Sequence, residues 1–263
     1  VIINWLFVIF PAEMRSAWRL VRRDLALWLG LAGLLAVLAA AGPVDGSAGA
    51  LSALLTVPIA LLMMFLPVVL FHAAHLGVTV GWREVLALFA ERGLGLLLFG
   101  MLAALLCAAA ATVAVAGAML ATRGSELMPA VSAAVGIIVY LSLFVRFCLL
   151  PFVVVLQRRE DLGALLSSVR PAFKGVVPWL WPLFASSQLT AVCRWRLTPY
   201  VFLINLGPAG ALIVPPEMQL PFVVVWQMVM LVMQGVLFDY FLATSDAAGV
   251  AADNRPLVPT EES

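Results

Sequence analysis

From Gly93 to Leu120 the chain runs without a single charged side chain. That stretch is longer than the roughly 20 apolar residues a helix needs to cross a hydrocarbon core. No soluble core of this size hides such a segment easily, and it is not alone. Leu25–Ala41, Ala50–Val80, Leu127–Leu156 and Leu220–Ala243 have the same character. A fifth region begins near Val176, where Arg194 and Arg196 interrupt the apolar pattern before it resumes. The composition agrees: 64% of the 263 residues are hydrophobic and 11% charged, where a soluble domain carries roughly 25% charged residues. The expected fold is an all-α polytopic helix bundle with about six transmembrane helices, and the lipid bilayer is its first partner. Three parts follow: an apolar and amphipathic segment over 1–24, a six-span membrane domain over 25–243, and a polar, disordered cytoplasmic tail over 244–263.

Apolar helices in lipid orient themselves by their basic loops. With the N-terminus inside, the inner segments hold Arg15, Arg19, Arg22, Arg23, Arg83, Arg92, Arg158, Arg159, Arg170, Lys174 and Arg255. The outer ones hold Arg123, Arg194 and Arg196. This asymmetry places both termini in the cytoplasm. Moving one span after the fourth would bring Arg194 and Arg196 inside, and this is the joint on which the layout turns. Lys174 is the single lysine among 15 basic residues, a bias that with abundant Ala, Leu and Gly fits a GC-rich bacterial genome and hence a bacterial inner membrane. Val1–Phe10 is apolar but is followed, not preceded, by basic residues, the reverse of a signal peptide. It reads as interfacial, re-entrant or the tail of a span.

Short stretches of mixed polarity precede each pair of spans: Pro11–Asp24, Trp82–Arg92 and Asp161–Gly175. In the last, Leu162, Leu165, Leu166, Val169 and Phe173 recur at helical spacing, opposite Ser167, Ser168, Arg170 and Lys174. Such helices lie along the membrane surface with their basic residues among anionic headgroups. The expectation is three units, each an interfacial helix followed by a two-span hairpin.

Arg146–Gly175 carries an arginine in a span, Pro151, the aliphatic run Val153–Val155, a polar turn at Glu160, then Ala164, Leu165, Ser168 and Gly175. This pattern resembles the membrane domain ahead of the catalytic domain in some bacterial glycerophosphodiester phosphodiesterases. It is also similar to related stand-alone six-span inner-membrane proteins. The resemblance covers about thirty residues and implies architecture without hydrolase activity. Arg194-Trp195-Arg196 departs from it.

Few residues in the spans can carry chemistry. Arg146 lies deep in the fourth span, where a guanidinium costs at least about 2.5–3.5 kcal/mol. It therefore faces the bundle interior, a watery cavity or a partner, and Asp239 in the sixth span is the natural counter-ion. A substrate or headgroup site and a purely structural ion pair are both open. Gln188, beside Ser186 and Ser187, and the pair Gln227 and Gln234 on one face of the sixth span are candidates to hydrogen-bond across helices. His72 and His75, three apart, could share a metal, but two ligands from one helix rarely complete a site, and a structural role is the plainer reading. Cys107, Cys148 and Cys193 read as small core residues, and the tryptophans as interfacial anchors. Alanine-rich faces (Ala103, Ala104, Cys107, Ala108, Ala111; Ala130, Ala133, Ala134) let helices approach closely.

The sequence holds no P-loop, no HExxH, no GxSxG and no acid cluster for Mg²⁺. No basic run with interleaved aromatics suggests nucleic acid. No cofactor is expected. The expectation is a non-catalytic protein working by association, an accessory or scaffold subunit with protein partners in the membrane or a role in envelope maintenance. The alternative is a transporter or permease component for a lipid or small amphipath, with the interrupted fifth region as its discontinuous helix.

Overall fold

The computed structural model describes residues 9–40, 47–156, 177–211 and 214–247, and all regular structure among them is helical. In chain order the helices are α1 (Phe10–Arg23), α2 (Leu25–Ala40), α3 (Ser47–Leu76), α4 (Trp82–Ala121), α5 (Met128–Phe147), α6 (Leu150–Leu156), α7 (Val177–Ala211) and α8 (Pro216–Ala247). Among the described residues three stretches are long and apolar enough to cross a membrane: α4, the α5–α6 unit and Glu217–Ser245 of α8. The count of six crossings expected from sequence is not reached on these criteria. Within α2 and α3, the shorter apolar stretches Leu25–Leu34 and Met64–Leu76 accompany them.

Local chemistry explains most boundaries. Proline sits in the first turn of α1, where its missing N–H costs nothing, with Glu13 in that turn and Arg22 and Arg23 in the last, matching the helix dipole. Gly77 ends α3 with φ of 72°, and the Val78 N–H donates back to the Ala73 carbonyl at 3.0 Å. This reversal needs a residue at ease in the left-handed region. At the start of α4 the Gly81 N–H donates to the Glu84 carboxylate at 2.8 Å.

Two expectations are corrected. Trp82–Arg92 is not a separate surface helix, because α4 runs through it without a break for 40 residues. The change of polarity at Arg92 alters what the helix faces, while Gly93 and Gly95 each cost only about 1 kcal/mol relative to Ala. Nor is the fifth region interrupted: α7 is one helix of 35 residues. Arginine is a good helix former, so Arg194 and Arg196 do not end the helix; Arg194 is half-buried and Arg196 exposed. The surface helix expected over Asp161–Gly175 lies outside the described residues, as do most of the tail and the run Val1–Val8. Helix α8 itself continues to Ala247, with Thr244 and Ser245 buried.

The helix that does break is the fourth span. It stops at Phe147 and restarts at Leu150, with Pro151 in the new first turn. Every residue of α6 except Pro151 is buried, and α6 packs among α3, α4 and α7. Around it an aromatic chain links four helices: Trp28 to Phe71 at 6.3 Å, Phe71 to Phe238 at 6.1 Å, and Phe152 to both Phe238 and Phe241 at 5.9 and 5.7 Å. Trp28, expected as an interfacial anchor, is wholly buried in this chain.

Helices α4 and α5 form a hairpin beside this core. They meet closely at Gly136, where an added Cβ would come within 2.6 Å of Val115. Ser132 and Gly136 are the buried small residues of α5, while Ala130, Ala133 and Ala134 point outward. On α4, Ala103 and Cys107 pack inward, and Ala104 and Ala108 are exposed.

Candidate functional site

Helix α1 divides its surface between two jobs. Glu13, Ala17 and Val21 recur every four residues and so form one stripe, with Ser16 at its edge. Arg15, Trp18, Arg19 and Arg22 form the other, and all four are exposed. The first stripe lies on α8. There Gly235 meets Ala17 so closely that a Cβ on the glycine would stand 2.9 Å from the Ala17 Cβ and 3.1 Å from its Cα. The glycine lets two backbones come together.

That approach carries a carboxylate to two phenols. Tyr240 of α8 donates its hydroxyl proton to Glu13 Oε1 at 2.5 Å, and Tyr200 of α7 donates to Glu13 Oε2. Each carboxylate oxygen thus takes one charge-assisted bond, the stronger class of hydrogen bond. Tyr200 is fully buried, stacks on Phe10 at 6.0 Å and lies 6.3 Å from Tyr240. One turn away, the Ser16 hydroxyl bonds the Asp239 carboxylate, which also feels Glu13, His75 and Arg19. Three helices therefore meet around two carboxylates, two phenols and a serine, with the exposed His75 and Arg19 nearby.

Of the residues singled out by sequence, Asp239 belongs to this cluster and His75 stands near it. Arg146 does not: its side chain is exposed, and it is not among the charges that surround Asp239. What α5 offers at this residue is its backbone. The break before Pro151 frees carbonyls, and the Arg146 carbonyl accepts from Ser186 at 3.0 Å and from Thr190 at 3.1 Å, both on α7. The polar step of α7 thus mends the broken helix, as neighbouring helices do where proline interrupts a span. Gln188 is exposed and takes no part. Near the end of the described part of α6, the Arg92 guanidinium donates to the Val155 carbonyl.

Gln227 is half-buried, while Gln234 lines a cavity of about 160 Å³ between α3, α4, α5–α6, α7 and α8. The rest of the lining is almost wholly apolar, including Met64, Ala104, Cys107, Phe144 and Pro151. Gln234 Oε1 is buried without a hydrogen-bond partner. His72 is buried, whereas His75 is exposed and stands edge-on to Phe238 at 6.2 Å. Among the described residues no three His, Cys, Asp or Glu side chains gather as a metal site. Cys107, Cys148 and Cys193 are free thiols, all buried.

No family model, curated protein or solved structure matches this chain. The resemblance over Arg146–Gly175 accordingly rests on those residues alone, of which 157–175 lie outside the described structure.

Sequence reasoning missed Glu13, Ser16, Tyr200 and Tyr240. A signal was present: Glu13 is an acid on the apolar stripe of an amphipathic helix, and the chain has only 3 tyrosines. Nothing in spacing along the chain pairs residues 187 and 227 positions apart.

Proposed function

We propose that the chain is a non-catalytic, multi-pass protein of the bacterial inner membrane, with both termini cytoplasmic and six crossings. It works by association, as an accessory or scaffold subunit of a membrane complex or in envelope maintenance. The observation that carries this reading is how α1 spends its residues. Glu13, Ser16 and Ala17 are committed to α7 and α8, so the ionisable cluster fastens a helix. The Arg15–Trp18–Arg19–Arg22 stripe is left facing outward at the membrane surface, suited to anionic headgroups or to an acidic face of a neighbouring subunit. Purification in a mild detergent tests this. A second polypeptide at fixed stoichiometry, lost on reversing Arg15, Arg19 and Arg22 to Glu, is the expected result. A lone chain that moves a substrate across liposomes by itself overturns it.

The second reading, a transporter or permease component for a lipid or small amphipath, draws on the α5–α6 break and the adjoining cavity. Discontinuous helices with binding sites beside them recur in transporters.

A further inference from the structure

Helix α7 turns a row of uncovered side chains outward near its middle. Val192 is 70% exposed and Trp195 90% exposed, and Arg196 beside them is exposed as well. These three form one wall of a groove of about 420 Å³, and Tyr240, Ala243 and Thr244 of α8 form the other. That volume lies within the roughly 300–1,000 Å³ typical of small-ligand sites. Arg196 is near enough to the Tyr240 hydroxyl and the Cys193 thiol for its charge to act on both. Among the described residues it makes no ion pair and no hydrogen bond. Glu13, which holds Tyr240, has both carboxylate oxygens engaged by phenols. The groove thus sets one cation, without a counter-ion among the described residues, between apolar and aromatic walls.

Helix α8 gives the depth of this groove. Tyr240 and Thr244 fall in the last two turns of the span-length stretch Glu217–Ser245, where a crossing helix leaves hydrocarbon for headgroups. Tyr240 also ties the groove to α1 through Glu13, so the two lie at the same face of the membrane. An acidic protein surface calls for several cations, as on the outward stripe of α1, whereas one guanidinium suits a single phosphate. We propose that the groove binds an anionic phospholipid, with its phosphate on Arg196, its glycerol against Trp195 and the start of an acyl chain along Val192 and Ala243. Guanidinium and phosphate form a bidentate, charge-assisted pair, and tryptophan favours the level between headgroup and chain. Arg196, which the six-span layout put outside, then shares the side of α1. The site stands under the scaffold reading and the transporter reading alike, since neither uses it.

The full chain is placed in phosphatidylcholine nanodiscs with a trace of phosphatidylglycerol that carries a photoactivatable diazirine near the start of one acyl chain. Adducts are mapped by peptide mass spectrometry and are expected on Val192–Arg196 and on Ala243 or Thr244. Unlabelled phosphatidylglycerol should displace the probe at a mole fraction roughly tenfold below that of added phosphatidylcholine. Arg196→Gln removes that preference, and Arg196→Lys, which keeps the charge, retains part of it. Both change an exposed side chain, so the fold is expected to stand. Ala243 is exposed, so Ala243→Trp has room to fill the groove and should abolish the adducts by a second route. Arg15, Arg19 and Arg22 changed together to Gln leave the groove adducts in place, which separates this site from the stripe on α1. Equal competition by the two lipids, a preference that survives Arg196→Gln, or adducts confined to α1 would each overturn the proposal. So would displacement by inorganic phosphate as effective as by lipid, or a second polypeptide cross-linked in the groove instead.

Discussion

The α1–α8 junction and the α4–α5 hairpin solve the same problem in different ways. In lipid the hydrophobic effect does not draw helices together, and contact depends on close packing and on polar bonds that lipid cannot replace. The hairpin uses the first means. Gly136 meets Val115 closely, and much of the hairpin's remaining surface is exposed and apolar: Leu94, Leu98, Met101, Leu105, Val113, Ile137 and Ile138 all face outward. Only 17% of the most apolar window of α4 is buried within the chain. The α1–α8 junction uses both means at once, with Gly235 against Ala17 and a carboxylate held by two phenols. The lesson is that an amphipathic helix with little apolar area of its own is held by specific bonds, whereas a long apolar helix is held mainly by shape and its surroundings.

That contrast can be broken by substitution, with unfolding followed by heating in detergent. Glu13→Leu removes the acceptor of both tyrosines and is expected to cost the most, about 3 kcal/mol, since buried donors lose a charged partner. If it costs no more than a hairpin substitution, the two regions do not differ in kind. Gly235→Leu comes next. The new side chain meets the Ala17 backbone, which cannot rotate away, and a penalty of about 2 kcal/mol is expected. Its distinctive readout is trypsin cleavage at Arg15, Arg19 or Arg22, which should appear in this variant and stay absent in Gly136→Ala.

Smaller effects sharpen the picture. The double variant Ser186→Ala with Thr190→Val leaves the Arg146 carbonyl without its α7 donors, a loss of about 1 kcal/mol at roughly 0.6 kcal/mol per bond between helices. The single changes should each show about half of this, and no loss in the double would mean that the break mends itself. Leu105→Ala alters an outward residue of α4 and should stay within about 0.5 kcal/mol. A larger loss there would show that the outer face of the hairpin packs against something.

How much of this was legible depended on the range of the physics involved. Local stop signals are the easiest to read, although the one expected at Gly42-Pro43 lies outside the described residues. The break at the end of the fourth span was legible for the same reason, since Pro151 cannot continue the ladder. Polarity misled where it was taken for geometry. Arg92, Arg194 and Arg196 change the surroundings of α4 and α7 without changing their backbones, so one surface helix and one discontinuous span were expected where continuous helices stand. The cluster around Glu13 could not be read at all from local pattern, because it depends on Gly235 allowing two distant helices to touch. The pairing of Asp239 with Arg146 was a guess about charge alone, and Asp239 lies instead beside Ser16 on α1.

The seat of α1 also sets an order of events. Helix α1 leaves the ribosome long before Tyr200, Gly235, Asp239 and Tyr240 are translated. The helix must therefore wait without its final contacts while the intervening segments are made. Docking it latches the assembly shut, and a nascent chain stalled before Tyr200 would still carry α1 undocked.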